Sequence, residues 1–72
     1  MSPLQRRNLV EPTDIGRRVS FQWELPNGLR QEALGVLELY DHGSETYVLR
    51  DKHDRMVRVP RRDVRFGKVV DG

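Results

Sequence analysis

From Val19 to Leu25 the chain alternates strictly, with Val19, Phe21, Trp23 and Leu25 on one side of the pattern and Ser20, Gln22 and Glu24 on the other. Residues two apart share a face of an extended chain, so a run this rich in aromatic and β-branched types is a strand with one buried face. Pro26-Asn27-Gly28 ends it. Asn27 and Gly28 tolerate positive φ, which makes a tight turn the natural sequel.

The rest of the chain repeats this scheme on a smaller scale. The Gln31–Asp41 stretch contains good helix formers in Glu32, Ala33 and Leu34. Its Val36-Leu37-Glu38-Leu39-Tyr40 run favours a strand, with Gly35 at a bend or bulge where the chain curls. Turn-forming residues occupy 41–45 and 51–55, and Thr46–Arg50 and Met56–Pro60 between and after them are short strands joined as a hairpin. Pro60 cannot donate into a ladder and ends its strand. A single 3-10-like turn over 60–64 then leads to a last strand in which Val64, Phe66 and Val70 are available to one face. Five short strands with regular turn signals predict an all-β fold, a small five-stranded antiparallel barrel with a 3-10 turn before the last strand. This is the layout of SH3-like barrels, in which closure removes exposed edges.

The expected domain is 14–70. Residues 1–13 read as a flexible N-terminal tail, polar, with Pro3 and Pro12 and no sustained period. Residues 71–72 read as the C-terminal end. A chain of 72 residues holds one small domain whose core is marginal. It has no cysteine, so disulfides and thiolate metal sites are excluded. His42 and His53 fall in turns without further ligands at metal-binding spacing, and read as solvated. "MSPLQRRNLVEP" lacks the apolar run of a signal peptide. No apolar stretch approaches the ~20 residues that cross a bilayer. The expected location is therefore cytoplasmic, with no membrane partner.

Charge is distributed unevenly. Net charge is only +2, yet between Arg50 and Lys68 eight Lys/Arg face three Asp, and the remainder is mildly acidic. Within this segment Arg58, Arg61, Arg62, Arg65 and Lys68 are candidates to bind an anionic partner, either nucleic acid or an acidic protein surface. Arg58 points away from Val57 and Val59, and Arg65 away from Val64 and Phe66. Lys68 would fall on the side of Phe66 unless a bulge at Gly67 turns it outward. The competing reading is a solvated face whose arginine stems cover apolar surface. Tyr40 and Tyr47 flank the 41–45 turn and are candidate aromatic contacts for a base or a cation. Phe21 and Trp23 belong to the core. For enzyme chemistry the sequence offers no cysteine nucleophile, phosphate-binding glycine loop or His-Glu-x-x-His motif, and Ser20 and Ser44 have no evident base. Asp51 and Asp54 read as turn formers rather than as paired catalytic carboxylates.

The segments "DIGRRVSFQWELPNG", "EALGVLELYD" and "YVLRDKHDRMVRVPRRDVRFGKVV" together resemble the SH3-like domain found at the N-terminus of certain actinobacterial acetyltransferases of the GNAT superfamily. The resemblance covers 14–70. It implies a non-catalytic accessory or interaction domain, with no cofactor of its own. Acetyl-CoA would bind only in a following catalytic domain, whose pyrophosphate-binding pattern is absent here. The partners implied are that catalytic domain or another protein. The alternative reading is a stand-alone small β-barrel that binds nucleic acid through the basic stripe.

Overall fold

The computed structural model describes residues 7–70. Its strands are β1 (Arg7–Asn8), β2 (Arg18–Glu24), β3 (Arg30–Asp41), β4 (Thr46–Arg50), β5 (Met56–Pro60) and β6 (Val64–Val69), with a 3-10 turn at Arg61–Asp63 between the last two. The chain is all-β, as its alternation requires. The strands form one sheet in the order β1-β6-β2-β3-β4-β5. The expectation of five antiparallel strands is corrected by one addition, because β1 joins β6 in parallel. The other neighbours pair antiparallel.

β2 behaves as its pattern demands. Val19 and Phe21 are fully buried, Ser20 and Gln22 are half-buried, and Trp23 packs at the margin of the core. The turn after it is closed by the Gly28 amide donating to the Leu25 carbonyl at 2.9 Å, with Gly28 at φ +88°. The Asn27 side chain accepts the Leu29 amide at 3.0 Å.

Two bulges decide which side chains point inward. On β3, Leu37 faces Leu49 and Leu39 faces Val48, so Glu38 is an extra residue. A bulge reverses the alternation beyond it. Leu37 and Tyr40 are therefore both buried, and Leu39 is left outside. Gly35, expected at a bend or a bulge, is not bulged and stays in register opposite Val19. Its role is close approach: a Cβ there would lie 2.3 Å from the Arg50 carbonyl oxygen. On β6, Val64 faces Trp23 and Phe66 faces Gln22, so Arg65 is the extra residue. Val64 is buried, Phe66 turns outward at 40% exposure, and Gly67 lies inward against the Phe21 ring. Phe66 thus leaves the face of Val64 that alternation assigned to it. Lys68 does point outward, through a bulge ahead of Gly67 rather than at it.

The core gathers Val10, Val19, Phe21, Leu37, Tyr40, Tyr47, Leu49, Val59 and Val64. Tyr47 is its centre, with ring centroids 4.6 Å from Phe21 and 5.0 Å from Tyr40. Such ring pairs add about 0.5–1.5 kcal/mol beyond the area they bury.

The described part of the expected tail is ordered against the sheet. The Leu9 amide donates to the Gly67 carbonyl at 2.8 Å. Val10 is 3% exposed. The Tyr47 hydroxyl donates to the Val10 carbonyl and accepts from the Asn8 amide nitrogen, both at 3.1 Å. The segment has no period of its own because its order comes from partners far along the chain. The expectations for 1–6 and for 71–72 lie outside the described residues. A turn in which Glu11 and Asp14 bond to each other leads from this arm towards β2.

Candidate functional site

The five basic candidates do not make one stripe. Arg58 stands on β5, at one edge of the sheet, and Lys68 stands on β6 near the other. Arg58 reaches Asp41 Oδ2 at 3.5 Å. That carboxylate is fixed by its turn, accepting the Gly43 and Ser44 amides at 3.0 and 3.3 Å. These N–H groups, Ser44 foremost, hold the Asp41 carboxyl below its usual value, so Arg58 faces a settled anion. Arg61 opens the 3-10 turn, and its amide donates to the Glu45 carbonyl at 2.9 Å. The Tyr40 hydroxyl beside its guanidinium favours the charged form and raises its pKa. Arg61 and Arg62 line one cleft with Ser44, Glu45, Thr46 and Pro60. Arg65, the bulged residue, lies 3.7 Å from Glu24 Oε1. The structure therefore brings Arg61 and Arg62 together, pairs Arg58 and Arg65 with separate carboxylates, and sets Lys68 apart.

The two tyrosines are core residues. Tyr47 has no exposed surface and Tyr40 is 6% exposed. A base or cation has no open ring face to approach, which corrects the reading of these residues as surface contacts. The reason is parity: the Glu38 bulge turns Tyr40 inward, opposite the inward Tyr47. Desolvation pushes the Tyr47 phenol above its usual value. Asp51 and Asp54 are turn formers, as expected. Asp51 Oδ1 accepts the His53 and Arg55 amides at 2.8 and 2.9 Å, and Asp54 takes a positive φ of 65°.

A different surface emerges on the outer face of β1, β6 and β2. Arg7 lies beside Phe66, which lies beside Gln22. One step along, Leu9 continues the β1 register next to Lys68, which faces Ser20. These residues and Gly67 line a groove of about 400 Å³, and among the described residues no carboxylate borders it. Its apolar members are well exposed, Leu9 at 68% and Phe66 at 40%. Alternation alone puts Phe66 on the face of Val64 and the expected tail takes in Arg7 and Leu9, so the sequence does not point to this groove. One signal was present: Phe66 and Lys68 are two apart, so a lysine that points outward takes Phe66 with it.

A second groove of about 520 Å³ opens where β3 leaves β4, over Ala33, Leu34, Val36 and Val57. Its rim mixes Arg18, Arg50, Lys52 and His53 with Glu32 and Asp51, so it carries no dominant sign. Among the described residues, no group of three or more His, Cys, Asp or Glu is placed to hold a metal ion. No helix among them is long and apolar enough to cross a membrane. No protein family, curated protein or solved structure matches this chain.

Proposed function

We propose that the chain is a non-catalytic SH3-like interaction module, the accessory domain of a GNAT-type acetyltransferase. The strand order β6-β2-β3-β4-β5, with a 3-10 turn between β5 and β6, supports the SH3-like reading. Contact between Tyr47 of β4 and Val10 beyond β1 supports a sheet that curls toward closure. The parent enzyme is suggested by the sequence resemblance alone.

One observation carries the interaction role. A domain that buries Phe21, Tyr40 and Tyr47 leaves Phe66 and Leu9 open in a groove with two cations. Exposed apolar surface rimmed by polar groups marks interaction sites. The nucleic-acid alternative is weaker, because Arg58 and Arg65 already face carboxylates and the five basic residues are scattered.

The test is an immunoblot of the source cell with an antibody to this domain, after both denaturing and native separation. A denatured band several times heavier than 8.5 kDa is expected. A denatured band at the chain's own mass would remove the acetyltransferase parent. Native migration at that mass as well would remove the interaction reading.

A further inference from the structure

We infer that the groove over β1, β6 and β2 binds an extended acidic peptide segment of a partner protein. An apolar side chain of that segment sits on Leu9 and Phe66, and its carboxylates reach Arg7 and Lys68. The inference rests on the interaction-module reading and names the partner of the same surface.

Charge complementarity is the first support. Several described cations elsewhere meet carboxylates, as in Arg58 with Asp41, Arg65 with Glu24 and Arg50 with Glu38 and Asp54. Among the described residues, two cations and no carboxylate line this groove. An occupant that brings anions complements the charge that the described residues present there, and complementary potential fixes register as well as partner choice.

The layout supports an extended peptide. Arg7 and Phe66 form one row, and Leu9 and Lys68 the next, so cation and apolar side chain alternate both across and along the strands. Phe66 and Lys68 are two residues apart on one face, a separation of about 6.6 Å. An extended segment with acidic and apolar residues at alternate positions has the same repeat. Single-stranded nucleic acid fits less well. Binding it calls for successive aromatic platforms along a basic channel, and this groove offers one ring.

The experiment titrates the isotope-labelled 72-residue chain by NMR with a short peptide that alternates Glu with Leu and Phe. Parallel titrations use the same peptide with Gln for each Glu, and an oligothymidylate. The expected result is that the acidic peptide shifts the amides of Ser20, Gln22, Phe66, Gly67 and Lys68, and that the Gln peptide does so weakly. Lys68→Glu should weaken acidic-peptide binding roughly tenfold, because an attractive surface contact is lost and a repulsive one replaces it. Lys52→Glu makes the same charge change on the distant 51–55 turn and should leave binding unchanged. Equal shifts by the Gln peptide would overturn the acidic partner and leave the interaction module standing. Stronger shifts by the oligonucleotide would overturn it in favour of nucleic acid. Silent groove amides in a chain that still migrates in a native complex would overturn the assignment of this groove alone.

Discussion

Tyr47→Phe removes one oxygen from the centre of the molecule and leaves the packing of the ring intact. Two hydrogen bonds go with it, the donation to Val10 O and the acceptance from Asn8 Nδ2. The Val10 carbonyl belongs to a residue 3% exposed and has little access to replacement water, whereas Asn8 is only half-buried. Each neutral bond is worth about 1 kcal/mol net, so the expected loss is about 2 kcal/mol. A 72-residue domain holds on the order of 4–10 kcal/mol in all, so this is a large fraction. Urea unfolding followed by Trp23 fluorescence should show it directly. The melting temperature should fall by roughly 8–16 °C. Hydrogen exchange gives the sharper reading. The Leu9 amide, bonded to Gly67 O, should lose more protection than amides of β4, because the hydroxyl ties the arm to the core. Unchanged urea midpoint and unchanged Leu9 exchange would refute the argument. A uniform loss across all strands would refute the idea of a local tie.

Two further outcomes concern the same core. Burial raises the Tyr47 pKa in the folded chain, so above about pH 10 the unfolded state has released a proton that the folded state still holds. Stability should therefore decline as pH rises through the raised value, and alkaline titrations of unfolding should show Tyr47→Phe lacking this part of the decline. Gly35→Ala would drive a Cβ to 2.3 Å from Arg50 O, with the backbone of Arg50 and Asp51 as the obstacle. A backbone shift of this kind costs about 1–3 kcal/mol. Gly43→Ala meets only the Asp41 side chain, at 3.3 Å, and should unfold within about 0.5 kcal/mol of the parent in the same urea assay.

The features legible in the sequence were local. The β2 alternation, the Asn27-Gly28 turn, the Asp51 loop, the Pro60 stop and the 3-10 turn are all set by neighbouring residues, and each lies where those residues put it. The errors share a cause. Glu38 and Arg65 become bulges only through the register that β4 and β2 impose, and nothing adjacent to them announces it. Each bulge exchanges inside and outside for the residues beyond it, which displaces Tyr40 and Phe66 together from their expected faces. The arm at 7–10 was illegible for a similar reason. Its ladder partner is Gly67 and its anchor is Tyr47, both distant in sequence. The candidate groove fell between these two errors, since it is made of the arm and of the side chain that the Arg65 bulge turns out.

The parallel pairing of β1 with β6 also has a kinetic meaning. Arg7 and Phe66 lie near opposite ends of the described chain, so the loop that must close before they meet is almost as long as it can be. Closing entropy is spent before such contacts return anything, and long-range pairings therefore form late. The arm cannot dock until β6 is laid down on β2 and Tyr47 is seated. It is the last piece expected to arrive and, by the same logic, the first to leave. A molecule with its arm detached would keep Phe66 and Lys68 but lose Arg7 and Leu9 from the groove. Half of the proposed peptide contact would then come and go with the slowest-assembling and earliest-opening segment of the fold.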